Sequence, residues 1–189
     1  QLHDIIDNLT AKAKLTNLLY KIAFWRKLLP DVRDKKGYID TEVNLIKIGD
    51  LWLAYQAKGI TPGVIVPYKK QAETIRRELR RRQPALSEDD LQNRVATVDS
   101  FQGREQEVII FGFTRSNAEG RIGFLAELRR LNVSLTRARR QLLLVGDSLT
   151  LSSTPDQDFA RLFKALLDST KKTSLGYLYA SDLPRLIQR

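Results

Sequence analysis

The stretch VATVDSFQGREQEVIIFGF, residues 95–113, places two short apolar runs on either side of a polar loop. The runs at residues 95–98 and 108–113 are each as long as a strand and do not alternate polar with apolar side chains. Strands of that kind are typical of a parallel sheet that is covered by helices on both faces. Only about eight residues separate the two runs, too few for a helical crossover of the usual length.

The sequence on either side continues this pattern of strands and helices. Residues 63–67 and 141–146 predict two more buried strands. The sequence therefore predicts an α/β fold with a mostly parallel sheet between two layers of helices. Helices are predicted at residues 41–59, 69–82, 125–140 and 156–168.

The first residues of the chain are predicted to differ from the rest. Apolar residues recur near a 3.6-residue period through residues 1–29, which predicts a helical segment ended by Pro30. A polar connector at residues 31–37 follows. We therefore predict a helical preface or linker at residues 1–36 and the main domain at residues 37–189.

Composition limits the possible function classes. The chain has 189 residues, a net charge of +10 and 42% apolar residues, enough for a globular core. It has no cysteine, and its one histidine, His3, lies near a terminus, which argues against disulfides, metal centres of cysteine or histidine, and Ser-His-Asp catalysis. Its apolar runs are too short to span a membrane. The positive charge favours a polyanionic partner, most often nucleic acid, or else a merely soluble basic surface.

Three segments follow or adjoin the predicted strands and carry polar side chains. Residues 67–71 combine a proline, a tyrosine and a glutamine after the strand at residues 63–67; they suit a nucleotide or an ordinary turn. Residues 97–105 combine small polar side chains, a glycine and two opposite charges, where Asp99 and Ser100 suit a phosphate contact or a capped turn. In an open parallel sheet, ligands bind beyond the carboxyl ends of the strands.

The third segment, residues 129–140, is rich in arginine. On a helix, Arg130 and Arg137 share a face roughly opposite an apolar stripe. Arginine's fork of donors suits phosphate, although a solvated basic face explains several of these residues equally well. The arginine-rich run at residues 76–82 has the same two interpretations. In the helix predicted at residues 125–140, the apolar stripe opposite Arg130 and Arg137 consists of Leu128, Leu131, Leu135 and Ala138.

Two parts of a nucleotide-hydrolysing site are missing from the sequence. There is no G-x-x-x-x-G-K-[ST] phosphate loop, and no apolar strand ends in the Asp-Glu pair that would bind magnesium.

The segments together resemble one family. GVIVPYKKQ at residues 63–71 resembles motif IV of superfamily 1 helicases, VATVDSFQGRE at 95–105 resembles motif V, and IGFLAELRRLNVSLTRAR at 122–139 resembles motif VI with its lead-in. The order and spacing match too, including TRSN at residues 114–117. The group they most resemble contains the nonsense-mediated mRNA decay helicase, senataxin and the DNA replication helicase-nuclease.

The resemblance covers about residues 37–150 and implies a fold and a reaction. Such helicases bind ATP between two RecA-like domains, and the first domain carries the phosphate loop and the magnesium ligands. This chain resembles the second domain alone, so the resemblance implies a three-layer RecA-like domain without its own phosphate loop. Alone it would not hydrolyse ATP. Joined to the first RecA-like domain of the same polypeptide, it would use ATP with Mg²⁺. The resemblance also implies a location inside the cell, in the cytoplasm, nucleoid or nucleus, and no membrane partner.

The resemblance also implies nucleotide-binding residues. Arg137 is similar to the arginine finger that reaches the γ-phosphate across the cleft, which makes it the predicted catalytic residue. Gly103 and Glu105 match motif V positions near the ribose and phosphates. Tyr68 and Gln71 match motif IV positions near the nucleotide.

Other motif V positions imply contacts with a single strand of DNA or RNA. Thr97 and Ser100 fall where the motif touches the nucleic-acid backbone, and Gln102 falls where it would couple the strand to the nucleotide. The resemblance implies 5′→3′ movement. It leaves DNA and RNA equally open, because the backbone contacts that it predicts do not by themselves tell the two apart.

The sequence departs from the family pattern at two positions. Ala72 follows Gln71 where some relatives have an arginine, so a second finger from motif IV is not predicted, although Arg76 lies one turn further on. Leu128 replaces a proline. Two alternatives to a motor domain stay open: a non-catalytic basic α/β module that binds nucleic acid or protein, and a degenerate helicase domain kept as a scaffold.

Overall fold

A computed structural model describes residues 19–25, 41–113, 115, 117, 119–171 and 177–179. The strands in these ranges are β1 (Leu19–Trp25), β2 (Gly63–Val66), β3 (Val95–Thr97), β4 (Gln106–Gly112), β5 (Ala138–Asp147) and β6 (Tyr177–Tyr179). The α-helices are α1 (Thr41–Ala57), α2 (Lys69–Arg82), α3 (Glu88–Arg94), α4 (Leu128–Leu135), α5 (Ser148–Ser152) and α6 (Gln157–Lys171). Short 3₁₀ turns span Asp99–Phe101 and Gly123–Ala126.

The described strands form one parallel sheet in the order β3-β2-β4-β5-β1-β6. Apolar side chains cover both of its faces, as the absence of polar alternation predicts. One buried cluster includes Trp52 of α1, Ile75 of α2 and Ile110 of β4. The cluster on the opposite face includes Phe111 of β4 and Phe163 of α6. The α/β sandwich predicted from the sequence is therefore confirmed.

Helices α1 and α2 lie close to their predicted positions. Helix α2 runs over Lys69–Arg82, which agrees with the prediction for residues 69–82. Helix α1 ends at Ala57, and Gly59 follows with a φ of 74°. The indole nitrogen of Trp52 donates a hydrogen bond to the carbonyl of Pro62 at 3.0 Å, which fixes α1 against the start of β2.

The segment joining β3 to β4 contains a 3₁₀ turn and no α-helix. Strand β3 is only three residues long and lies at the sheet edge, and β2 separates it from β4. Phe101 returns beneath β2: a Cβ on Gly63 would lie 2.9 Å from its ring and 2.8 Å from the side chain of Ile109. Glycine at the start of β2 therefore leaves the space in which this turn packs.

The helical prediction for residues 1–29 is wrong over Leu19–Trp25, which is a strand. Seven residues of β1 pair with β5, from Leu19 opposite Gln141 to Trp25 opposite Asp147. Pairing with a strand more than 100 residues away overrides a local apolar period. The other residues of the predicted preface lie outside the described ranges, and its status as a separate unit stays a prediction.

The helix predicted at residues 125–140 is also too long. Helix α4 ends at Leu135, and its last turn closes with a hydrogen bond from the Thr136 amide to the Asn132 carbonyl at 3.1 Å. Ala138 is already in β5. Arg137 consequently lies in the turn, so the predicted helical face shared with Arg130 does not exist.

Residues 84–90, for which the sequence predicts no helix or strand, contain the start of an additional short helix. Helix α3 begins at Glu88, and the hydroxyl of Ser87 caps it by accepting the amide of Asp90 at 3.1 Å. Serine followed by acidic residues is the usual signal for a helix start, so this helix was predictable from the sequence.

Candidate functional site

Two predicted nucleotide-binding residues, Glu105 and Arg137, lie together at the amino ends of two neighbouring strands. Glu105 precedes β4 and Arg137 precedes β5. The amide of Gln106 donates a hydrogen bond to the carbonyl of Arg137 at 3.2 Å. The guanidinium of Arg139 binds the carboxylate of Glu105 at 3.1 Å. We call Glu105, Arg137 and Arg139 the amino edge; it brings one carboxylate and two fixed positive charges together.

The side chain of Arg137 folds onto the end of α4. Its Nε donates to the carbonyl of Val133 at 2.9 Å, and its Nη2 contacts the hydroxyl of Thr136 at 3.3 Å. The carbonyls at a helix carboxyl end favour a cation there. Arg137 is therefore half-buried and held in a defined position, rather than extended from the domain surface.

The residues predicted to bind a single strand of nucleic acid lie at the opposite, carboxyl, ends of the β-strands. Thr97 ends β3, and its hydroxyl lies 3.0 Å from that of Ser100 in the 3₁₀ turn. Ser100 is exposed, and so is Gln102 just beyond the turn. The structure therefore brings Thr97 and Ser100 into direct contact, with Gln102 next to them along the chain.

Tyr68 follows β2 at this same side of the sheet. Its hydroxyl accepts a hydrogen bond from Nε of Arg115 at 3.0 Å, and the guanidinium lies 5.1 Å from the ring centroid. Gly123, with a φ of 56°, approaches so closely that a Cβ would lie 2.9 Å from the tyrosine hydroxyl. Gln71, one turn into α2, is 3% exposed. We call Tyr68, Thr97 and Ser100 the carboxyl edge.

The structure places Tyr68 and Gln71 far from Glu105 and Arg137. Ile65 pairs with Phe111 in the parallel sheet, so the end of β2 is level with the end of β4. Glu105 precedes Phe111 by six residues, about 20 Å of strand at 3.3 Å per residue. Four of the five residues predicted to bind the nucleotide thus lie at opposite edges, and Tyr68 and Gln71 lie on the side of Thr97.

Gly103 lies on the path from the carboxyl edge to the amino edge. Its φ is 80°, a conformation that side chains other than glycine rarely adopt. Among the residues that the structure describes, no other group lies within 4 Å of where a Cβ would be. Glycine is required here by the turn of the backbone between Gln102 and Glu105, and not by crowding.

The segment after β4 is fixed by a polar network that the sequence did not reveal. The amide of Asn117 donates to the hydroxyl of Thr150 at 2.8 Å, and that hydroxyl lies 2.8 Å from a carboxylate oxygen of Asp147. Asp147 is 7% exposed and Thr150 is 1% exposed. The TRSN motif, which contains Arg115 and Asn117, was the available signal for the contacts that these two residues make.

Three of the five arginines in the run at residues 76–82, Arg80, Arg81 and Arg82, pair with carboxylates of the domain. Glu78 binds Arg81 and Arg82 at 2.8 and 2.7 Å, and Asp50 binds Arg82 at 2.6 Å. Arg76, the substitute considered for a second finger, donates to the carbonyl of Val95 at 3.0 Å. These contacts favour a structural role for the run over a phosphate-binding one.

In the described ranges, no group of three or more histidine, cysteine, aspartate or glutamate side chains is arranged to hold a metal ion. Of the described helices, none combines the length and the apolar character needed to cross a membrane.

A parallel α/β sheet with motifs IV, V and VI in the loops and turns around its strands defines the second RecA-like domain of a helicase. A family model described as an AAA domain matches residues 34–149. The chain therefore belongs to this AAA domain family, as the C-terminal domain of a superfamily 1 helicase.

Relatives and a solved structure agree with this assignment. DNA-binding protein SMUBP-2 of Mesocricetus auratus is 44% identical over 90 residues, 48% of this chain and 8% of that protein. DNA polymerase alpha-associated DNA helicase A of Schizosaccharomyces pombe is 43% identical over 103 residues, 54% of this chain and 14% of that protein. The C-terminal domain of a possible DNA helicase from Lactobacillus plantarum WCFS1 has the same fold, with a TM-score of 0.53, 15% identity and coverage of 93% and 94%.

The chain spans less than a sixth of the length of either of these two relatives.

Proposed function

We propose that this chain is the second motor domain of an ATP-dependent helicase or translocase that moves 5′→3′ on single-stranded DNA or RNA. The observation that carries the proposal is the contact between the starts of β4 and β5, where the Gln106 amide meets the Arg137 carbonyl at 3.2 Å. This contact holds the carboxylate of Glu105 and the fork of Arg137 at one edge of a rigid sheet.

The amino edge suits the nucleotide. The planar guanidinium of Arg137 can donate two parallel hydrogen bonds to phosphate oxygens. To reach a phosphate, the Arg137 side chain must rotate and replace its hydrogen bond to the Val133 carbonyl with one to the phosphate. Arg137 would then stabilise the charge that develops in phosphoryl transfer. The phosphate loop and Mg²⁺ ligands would come from the first RecA-like domain.

Glu105 and Gly103 would complete this nucleotide site. A carboxylate accepts hydrogen bonds from sugar hydroxyls, and Arg139 keeps that of Glu105 oriented at 3.1 Å. Gly103 permits the turn that brings Glu105 to the start of β4. A nucleotide bound at the amino edge would have to reach across about 20 Å of sheet to contact Tyr68 and Gln71 as well. The contact proposed for these two residues therefore has the least support.

The carboxyl edge suits a nucleic-acid backbone. Paired hydroxyls of Thr97 and Ser100 donate to phosphate and sugar oxygens without reading a base. Lys69 and Lys70 follow β2, are exposed, and form no hydrogen bond or ion pair through their side chains in the described part of the chain. Binding of this kind is salt-dependent and nearly blind to sequence.

The decisive experiment is ATP hydrolysis by the full-length protein that carries both RecA-like domains, with and without single-stranded DNA or RNA. Arg137→Ala should lower the strand-stimulated rate about 10³-fold or more while strand affinity is kept. Arg140→Ala is the matched control: Arg140 lies in β5, three residues after Arg137, is 77% exposed and pairs with Glu107 at 3.7 Å.

Normal turnover by Arg137→Ala would remove the finger assignment. If the wild-type protein binds strands but does not hydrolyse ATP with either of them, the non-catalytic basic module becomes the better description.

A further inference from the structure

One ion pair crosses from the 3₁₀ turn after β3 to helix α4. The Nε of Arg130 lies 3.4 Å from a carboxylate oxygen of Asp99. Asp99 lies between Thr97 and Ser100 in sequence, and Arg130 is in the first turn of α4, whose far end holds Arg137. The pair therefore joins the segment proposed to bind the strand to the helix that holds the proposed finger.

Both ends of this connection are rigid. Phe101, in the same turn as Asp99, and Leu131, next to Arg130, belong to one buried cluster and are 1% and 3% exposed. The carbonyl of Arg130 accepts the hydroxyl of Ser134 at 2.8 Å within α4. The buried neighbours of Asp99 and Arg130 tie both segments to the same core, so a displacement of Asp99 can be passed to α4 through the ion pair.

The other end of α4 reaches Arg137 directly. The carbonyl of Val133 accepts Nε of Arg137 at 2.9 Å, and the carbonyl of Ser134 accepts its amide at 3.3 Å. A small rotation or shift of the helix changes both contacts, and so changes how readily the guanidinium leaves its resting position.

We propose that Asp99 and Arg130 are positioning residues that couple the strand-binding loop to the arginine finger. The inference rests on the proposed function and deepens it. Binding of the phosphate backbone at Thr97 and Ser100 shifts the turn, Asp99 carries the shift to Arg130, and α4 carries it to Arg137. In the sequence the coupling role was predicted for Gln102, whose side chain is exposed.

Stability alone does not account for this pair. The side chains of Arg130 and Asp99 are 37% and 63% exposed, and ion pairs so exposed add little to stability. Arg130 already has a partner on its own helix, Glu127 at 3.2 Å. The contact with Asp99 adds a link between two segments, and Glu127 offers a natural control because its loss leaves that link in place.

The test is a double-mutant cycle in the full-length protein, using Asp99→Asn, Arg130→Gln and the two together. The readout is the strand-stimulation factor, which is the ATP turnover at saturating single strand divided by turnover without it. We expect each single variant to lower this factor about fivefold, a coupling at the lower end of those usually found. The double variant should lose no more than either single variant, and Glu127→Gln should keep the wild-type factor.

Strand affinity and the midpoint of thermal unfolding are measured for every variant. A merely structural pair would lower the unfolding midpoint and leave the stimulation factor unchanged. That result, or losses that add in the double variant, would overturn the coupling proposal while leaving Arg137 and the motor proposal intact. If the wild-type protein shows no strand stimulation at all, the motor proposal fails as well, so the two failures are distinguishable.

Discussion

The amino edge carries charged side chains and the carboxyl edge carries hydroxyl side chains, and the two edges differ in what their side chains bind. At the amino edge the charges bind one another or the backbone: Arg139 holds Glu105, and Arg137 holds the Val133 carbonyl. At the carboxyl edge the hydroxyls of Thr97 and Ser100 bind each other, next to exposed lysines. A preorganised set of charges suits one ligand of fixed geometry, whereas exposed cations and hydroxyls suit a long polyanion bound in many registers.

The variant Glu105→Gln in the full-length protein tests whether the amino edge binds the nucleotide. If the amino edge serves the nucleotide, losing the charge should raise KM for ATP about tenfold, because hydrogen bonds to charged groups contribute about 1.5–3 kcal/mol. Strand affinity should stay unchanged. Glu107→Gln is the control, since Glu107 makes the neighbouring ion pair with Arg140. An equal rise in KM for the control would show that the effect comes from lost negative charge near β4 and not from a contact that Glu105 makes.

At the carboxyl edge, the Lys69→Ala/Lys70→Ala double variant tests the role of the exposed cations. Each phosphate contact on a single strand contributes about 0.7 to the slope of log affinity against log salt, so the slope should fall by about 1.4. That is about a sevenfold change between ~50 and ~200 mM salt. Lys58→Ala/Lys164→Ala removes two other exposed charges and should leave the slope unchanged. Equal slopes for both double variants would mean that the strand responds only to net charge.

Thr97→Val tests whether one hydroxyl of the carboxyl edge contacts the nucleic-acid strand. It keeps the shape of the side chain and removes the hydroxyl that lies 3.0 Å from Ser100. Strand affinity should fall about fivefold, the effect of one hydrogen bond, with KM for ATP unchanged. Thr74→Val removes a hydroxyl that binds only the Lys70 carbonyl on α2, at 2.9 Å, and should bind strands normally. A change in KM for ATP with Thr97→Val would contradict the separation of the two edges.

Most of the sheet could be predicted because its strands are locally distinctive. Apolar runs without alternation identified β2 to β5, and arginine, glycine and hydroxyl residues in the adjoining segments identified the motifs. Strand β1 could not be found this way, since it depends on pairing with β5, from Leu19 opposite Gln141 onwards. The end of α4 was missed because Ala138 fits the apolar period of a helix and the inward face of a strand equally well.

The division of the site into two edges was readable in principle. Glu105 and Arg137 come before predicted strands, whereas Tyr68 and Gln71 come after one, and parallel strands place those positions at opposite edges. Grouping them by family motif hid this difference. Side-chain conformation was out of reach, because the contact of Arg137 with Val133 depends on where α4 ends.

The smallest expected effect concerns the arginine end of α2. Its last turn contains Arg80, Arg81 and Arg82, whereas the helix begins with Lys69 and Lys70. Hydrogen bonds from Arg81 and then Arg82 lower the pKa of Glu78 to about 2 from 4.5. Because the folded-state pKa is the lower one, this carboxylate adds stability above about pH 4.5, and the contribution is lost as the pH falls towards 2. For exposed partners it amounts to less than about 1 kcal/mol.

Urea unfolding of the chain with Glu78→Gln should therefore show a small loss at pH 7 that shrinks between pH 4.5 and 2. Glu73→Gln, on the same helix, should show neither the loss nor its pH dependence. The same variant also tests the comparison of the two edges, since it releases Arg81 and Arg82 from their shared partner. If the arginine end of α2 bound the strand, releasing it would raise strand affinity in the full-length protein. Unchanged affinity is expected, because we propose that the nucleic-acid strand contacts the hydroxyls of the carboxyl edge and the neighbouring Lys69 and Lys70.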